Sequence, residues 1–386
     1  MPRMDRIEFI NFDRIAWCCA DYGITPEALA AAVGVSSDRM AEVMQGKSGL
    51  TFNQLRSIAD HFGRGVLFFL EPGSVESATV HTAQFRTLAR QKPELSPRLK
   101  ALIERVERQR DIFLSLRNDL GDADAVRFNA PSVSDTSVVA VAKAARTWLG
   151  LGDSNNFDSY RAAVEAKNIL VFRTNGFAGK WQIAKESPVL GFALYDVVCP
   201  VIVIKKIVFE ASQAFTLMHE LGNVLLHRAS WIDDDNDFQS TQGKERDANI
   251  FAGLVLVPDH FLNEIDDDLR PEDVTQFHTW LSPSARLWGV SSEVILRRLM
   301  DMGRLPRDTY LAYRQWRLAN PYVANEQRGS RVYRHREPKH IFGDRYVRTV
   351  LDALSTQHIT LSKASGYLDG LKIADVHELE RHYARS

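Results

Sequence analysis

Residues 215–228 read FTLMHELGNVLLHR: His219 is followed at once by Glu220 inside an apolar run, and a second histidine, His227, comes eight positions after the first. On an α-helix, residues four apart share one face and lie about 6 Å apart along the axis. Two imidazoles at that spacing can hold one Zn²⁺, with the Glu beside the first placed as a general base; this is the pattern H-E-x-x-H. Here the fourth position after His219 is Asn223. Its amide oxygen is a neutral, weak donor, poorly matched to Zn²⁺ beside imidazole nitrogen. His227 lies about 12 Å along the axis from His219, so the two cannot ligate one ion on an intact helix. A catalytic zinc takes three protein donors and keeps one position open. Glu245, on a second expected helix GKERDANIFAGLVLVP (243–258) that stops at Pro258, is the candidate third donor. The connection between the helices, WIDDDNDFQSTQG, is acidic and turn-rich and reads as a solvated loop.

Taken together, FTLMHELGNVLLH and ERDANIFAGLVLVP resemble the ImmA/IrrE family of metallopeptidase-like proteins, whose pattern is H-E-L-G-H with a further His, then E-x-x-A-N-x-F-A ending in a Pro. The resemblance implies a zincin-like domain in which His219 and Glu245 are zinc ligands and Glu220 is the general base. His227 and Asn249 would support the ligands from behind. GFALYD (191–196) and PVIVI (200–204) resemble the strands that precede the family's active helix. FLEPGSVESATVHTAQFRTLARQ resembles the join of longer members, in which a Cro/repressor-type (Xre) helix-turn-helix is fused in front. Asn223 departs from the pattern at the second ligand, as natural divergence or as an inactivating replacement. The expectation is therefore weak or absent zinc and impaired hydrolysis. Longer members often act as antitoxins beside a PIN-type ribonuclease toxin. The resemblance thus implies a regulator that holds a protein partner and controls its own operon. The rival readings are an active zinc endopeptidase that cleaves a repressor or the toxin, and a plain repressor whose back half only dimerises.

The N-terminal segment reads as short helices. TPEALAAAVG offers Thr25 as N-cap and Pro26 at the first helical position. SSDRMAEVMQGK follows after Gly34-Val35, then TFNQLRSIADHFG opens at Thr51 and closes at Gly63. Two helices joined by a tight Gly-containing turn suit a helix-turn-helix. In it Ser36–Gln45 is the recognition helix, with Ser36, Ser37, Arg39, Gln45 and Lys47 facing operator DNA. Arg39 suits a guanine edge, Gln45 an adenine, and the serines and Lys47 suit phosphates. Residues 1–71 nevertheless carry seven Lys/Arg against nine Asp/Glu. Phosphate neutralisation dominates DNA affinity, so this module binds weakly unless its few cations converge or the protein forms a homodimer, and a retained protein-contact role is the alternative to reading DNA.

The whole chain has 386 residues, 45% hydrophobic and 25% charged, a composition of folded globular proteins. Its length argues for more than one core. The expected order is a helix-turn-helix domain (1–72), a linker with a charged helix (73–135), a peptidase-like domain (136–270) and a helical, partly basic C-terminal region (271–386). The fold class is mainly α with a small antiparallel β-sheet (α+β), the strands being ILVFRT, GFALYD and PVIVIKK. Apolar runs such as VVCPVIVI fall short of a bilayer span, and the N-terminus lacks a signal-peptide core, so the expected location is cytoplasmic. Cys18, Cys19 and Cys199 read as buried small apolar residues in a reducing compartment. Residues 297–348 hold thirteen Lys/Arg against five acids, with aromatics interleaved. That stretch is read either as a nucleic-acid or acidic-partner surface, or as a solvated helix face.

Overall fold

The computed structural model describes residues 6–7, 9–47, 49–75, 88, 91, 95–122, 127–175, 179–234, 242–321 and 331–384, with only the backbone of 97 and 331–333. Most of the join at 73–94, the turn residue Gly176, the acidic loop beyond Asp234, and Tyr322, Glu326 and Arg328 of the basic stretch lie outside the described residues. The chain forms two compact units, Met1–Arg108 and Gln109–Ser386.

The first unit is helical: α1 (Phe12–Tyr22), α2 (Pro26–Val33), α3 (Ser37–Met44) and α4 (Phe52–Phe62), then a 3₁₀ turn at Val66–Phe69. The caps explain the boundaries. Thr25 Oγ1 accepts from the Ala28 N–H, and Ser36 Oγ accepts from Arg39 N–H. Thr51 and Gln54 form a reciprocal capping box. Gly34 closes α2 in the left-handed region at φ 69°, which only glycine adopts without steric cost. Ile15, Leu29, Met40, Val43, Leu55, Ile58 and Phe62 meet in one buried core. The Tyr22 hydroxyl donates to the Phe62 carbonyl at 2.8 Å inside it.

In the second unit, α6 (Val138–Leu149) and α7 (Phe157–Glu165) precede β1 (Leu170–Arg173), β2 (Val189–Leu194) and β3 (Val201–Ile204); a helix α5 (Pro97–Asp119) comes before them across the division. Then follow α8 (Glu210–Gly222), a π-helical turn at Asn223–His227, β4 (Trp231–Asp234), α9 (Gly243–Leu256) and α10 (Asp259–Leu262). The rest is α11 (Phe277–Trp288), α12 (Ser292–Asp301), α13 (Arg307–Ala319), α14 (Glu337–Ser355), α15 (Leu361–Tyr367) and α16 (Ile373–Ala384).

The chain is mainly helical with one small sheet, but that sheet is mixed, not antiparallel. Its order is β1-β3-β2-β4, with β1 parallel to β3 and the other pairs antiparallel. The cause is the hairpin of β2 and β3, whose tight connection is fixed by Asp196 Oδ1 accepting from the Val198 and Cys199 N–H groups. β1 pairs parallel with the other edge of β3; the stretch between β1 and β2 is long enough to permit that, as a tight hairpin would not be. Both β1 and β3 are buried along their length, which is why they read as unbroken apolar runs.

Helix α8 lies on the sheet and is enclosed from Thr216 to Gly222. Ala214, Leu217, Met218 and Leu221 face the core at helical spacing. It also packs closely on α9. A Cβ at Gly222 would stand 3.0 Å from the Phe251 ring and 3.4 Å from the Ala248 Cα, so small residues at 222 and 248 permit the approach. That crossing carries the site.

Candidate metal centre

His219 comes from the last turn of α8, Glu245 from the first turn of α9. The close crossing sets His219 Nε2 3.2 Å from Glu245 Oε2. A third group arrives from a segment read as solvated loop. Trp231–Asp234 is a strand, β4, and its Asp233 is fully buried with Oδ2 3.2 Å from His219 Nε2. The reason is pairing: β4 takes the open edge of β2, with Asp233 opposite Gly191. Burying one side of an edge strand draws in the residues that face the sheet, even acidic ones, if a partner awaits them. The ligand atoms of His219, Asp233 and Glu245 all lie within 4.8 Å of one another.

Around this trio the positions expected to matter divide clearly. Asn249 is buried, and its Oδ1 stands 3.0 Å from His219 Nδ1. The amide oxygen can only accept, so Nδ1 carries the proton and Nε2 is left pointing at the two carboxylates. Asn223 begins the π-helical turn and donates from Nδ2 to Asp233 Oδ2 at 2.9 Å. His227 stands apart and half-buried, with Nε2 3.3 Å from the Lys244 carbonyl oxygen at the start of α9. Glu220 is fully buried against β2, where Gly191 makes room for it: a Cβ there would be 2.7 Å from Glu220 Oε1.

The electrostatics are unbalanced. Burial opposes a charge on His219, but Asp233 and then Glu245 outweigh it and raise the imidazole to about 9. Burial, then the charge of Asp233, lifts the Glu220 carboxyl well above the usual carboxylate range. Among the described residues no Lys or Arg pairs with Glu220, Asp233 or Glu245. Glu245 Oε1 is buried without a hydrogen-bond partner, and the remaining oxygens of Glu220, Asp233 and Asn223 are buried facing one another, with no partner outside that group. Buried oxygens so placed are costly, and their convergence on one imidazole nitrogen is the chemistry of a cation cradle.

One imidazole and two carboxylates fit a divalent ion. Donors at zinc bond lengths in a tetrahedral shell lie about 3.3 Å apart, close to the 3.2 Å from His219 Nε2 to each carboxylate oxygen. Bound there, such an ion supplies Lewis acidity and ties α8, β4 and α9 together.

Residues 165–300 match the family model of the IrrE N-terminal-like domain, Peptidase_M78. That span runs from the end of α7 to α12 and contains the whole cluster. No curated protein matches the chain. The matched segment includes α11 and most of α12, joined at Gly289 and Ser291. Their residues Trp288, Ile295, Leu296 and Leu299 lie in the same core as α8 and α9.

The other candidate residues sit on α3. Ser36, Ser37, Gln45 and Lys47 are exposed, and Arg39 is partly buried. Ser36 is committed to its capping bond. Arg39 Nη1 pairs with Glu42 Oε2 at 2.6 Å, and Lys47 Nζ donates to Gln45 Oε1 at 3.3 Å. In the basic stretch, many cations and rings serve the unit's interior. Arg298 binds the Val257 carbonyl and Asp259, while Arg304 binds the Leu262 and Ile265 carbonyls and Asp267. Tyr310, Tyr313, Phe342 and Tyr346 are buried. Among the described residues no helix is long and apolar enough to cross a membrane.

Proposed function

We propose that this chain is a transcriptional regulator in which an Xre-type helix-turn-helix precedes an IrrE-like domain that works by holding a protein partner, not by cutting one. The observation that carries the reading is the enclosure of the site. His219, Glu220, Asn223 and Asp233 have no exposed surface. Among the described residues of the group only Glu245 keeps partial exposure, and Glu220, the general base of the resemblance, has none. The α2–α3 pair, joined by Gly34-Val35-Ser36 with Ser37 and Gln45 outward, supports the DNA-reading half of the proposal. By the resemblance the partner is a PIN-type ribonuclease toxin, and the chain its antitoxin.

The rival reading, an active endopeptidase, draws on one fact: three donors converge on one point. Co-expression with the protein encoded beside it separates the two. Co-purification of both chains at full mass, with a shifted band for DNA from its own upstream region, is the expected result. Recovery of a cleaved partner, lost in Glu220→Gln, would favour the protease.

A further inference from the structure

We propose that Asp233, not residue 223, completes a three-donor site for a divalent first-row metal ion with His219 and Glu245, and that Asn223 is the positioning residue holding the Asp233 carboxylate. The proposal deepens the reading of the IrrE-like domain and is independent of the DNA and partner halves of that reading.

Three observations carry it. The first is distance: His219 Nε2 is 3.2 Å from one oxygen of each carboxylate. The second is tautomer. Asn249 Oδ1 fixes the proton on Nδ1, so the Nε2 lone pair of a neutral imidazole would face two anionic oxygens. Only a cation between them, a proton or a metal ion, relieves that opposition. A proton on Nε2 can serve the two nearest oxygens, and the Glu220 carboxyl can donate to Asp233, but Glu245 Oε1 is still left without a partner. A metal ion can engage the carboxylates through either oxygen and compensates their charge directly.

The third observation is the division of labour at residue 223. Its Nδ2 donates to Asp233, so the amide turns a donor, not an acceptor, toward the candidate ligand. A histidine on an uninterrupted helix would reach the ion itself. Here the helix widens into a π turn beginning at Asn223, the amide becomes a strut, and the carboxylate on β4 becomes the ligand. Replacing an imidazole by a carboxylate makes the donor set harder, which narrows the usual preference for zinc over manganese.

The test uses the full-length chain freed of metal with a chelator, then titrated with Zn²⁺, Mn²⁺ and, as a spectroscopic probe, Co²⁺. The expected result is one ion per chain, a raised melting temperature, and visible Co²⁺ bands of a low-coordinate site. Asp233→Asn keeps the shape and should weaken Zn²⁺ binding at least 100-fold, abolishing the thermal shift. Asn223→Ala should weaken it about 10–100-fold, as loss of a group orienting a ligand does. Asn223→His should retain binding and move the Co²⁺ bands as a second nitrogen enters. Far-UV circular dichroism establishes that each variant is folded, and if Asp233→Asn is not, Asn223→Ala carries the comparison. Equal Zn²⁺ affinity in wild type and Asp233→Asn, or no stoichiometric ion in the folded wild type, overturns the ligand assignment. Wild-type affinity in Asn223→Ala overturns the positioning role. Failure to bind DNA or a partner leaves these readouts unchanged, so the two readings fail separately.

Discussion

Asn223 Nδ2 donates to Asp233 Oδ2 at 2.9 Å, both groups fully buried, and this bond joins the π-helical turn after α8 to the edge strand β4. It explains how an IrrE-like site can carry an asparagine where the resemblance expects imidazole. The amide keeps a contact with the site by orienting another donor. The same bond ties β4 to the end of α8, adding a side-chain link to the β2–β4 ladder that places the strand.

Gly191 is the counterpart of that pair on β2. A Cβ there would lie 2.7 Å from Glu220 Oε1, 2.8 Å from Thr216 Cγ2 and 3.0 Å from the Val203 carbonyl oxygen. Neither the sheet backbone nor the enclosed Glu220 can withdraw easily. Gly191→Ala should therefore cost roughly 1–3 kcal/mol, the usual range for overpacking. Gly152→Ala, with nothing within 4 Å of its Cβ, serves as the control and should stay within about 0.5 kcal/mol. Urea unfolding of both decides it; equal midpoints would refute the packing account.

How much of this could be read from the chain? The helices of the first unit were legible because caps and glycines mark their ends: Thr25 and Thr51 open two of them, and Gly63 closes the last. Helical spacing joins His219 and Glu220 on α8 but says nothing of Glu245 on α9; that His219 and Glu245 would meet rested on the resemblance, and they stand 3.2 Å apart. Asp233 was not legible. Four residues, WIDD, carry no turn signal or clear alternation, and only the open edge of β2 makes them a strand. The alternation Trp231-out, Ile232-in does not announce that Asp233 is sealed, since acidic side chains are seldom buried unless paired. A run of acids beside a metal motif is the signal that could have raised it. The parallel pairing of β1 was hidden because strand order and direction depend on which edge the strand takes, and nothing in the composition of ILVFRT marks that.

Gly222 should prove as intolerant as Gly191, for the helix crossing itself. In an exposed helix a Gly to Ala change gains up to about 1 kcal/mol of propensity. At this crossing the new Cβ would press on the Phe251 ring at 3.0 Å and the Ala248 backbone at 3.4 Å. Gly222→Val adds two further methyl groups and should lose about 2 kcal/mol or more. It should also pull Glu245 from His219, so the stability loss and a weakened Zn²⁺ response should appear together. A stable variant with an unchanged response would show that the close approach is not needed.

The three cysteines offer a check on burial. Burial is the main cause that raises Cys18 and Cys199 to about 12 and Cys19 to about 11. Since the thiolate is the reactive form, native protein should give almost no fast reaction with an aromatic disulfide reagent between pH 7 and 9. Reactivity should climb only as pH approaches 11, where unfolding also competes. In guanidinium all three should react within the mixing time. Rapid labelling of even one thiol in the native protein at pH 8 would contradict its placement in the core.

On α3, the pairing of Arg39 with Glu42 at 2.6 Å sets up the last prediction. Ion pairs at the surface between helix neighbours contribute little to stability, so Arg39→Ala, although Arg39 is partly buried, should cost no more than about 1 kcal/mol. On the proposed reading its effect is on DNA binding. If the proposed reading holds, Arg39 must leave Glu42 to reach a base or phosphate, and Glu42 both competes for it and repels the backbone. Glu42→Gln should therefore strengthen binding to the upstream duplex several-fold. Lys47→Ala should weaken binding for every sequence alike and lower the slope of log K against log salt by about one. Arg39→Ala should instead reduce the preference between the specific duplex and a scrambled one. Gel-shift titrations at three salt concentrations read all of these at once. A wild type that ignores DNA at the lowest salt, or a Glu42→Gln variant that binds less tightly, would remove α3 from the role of reader.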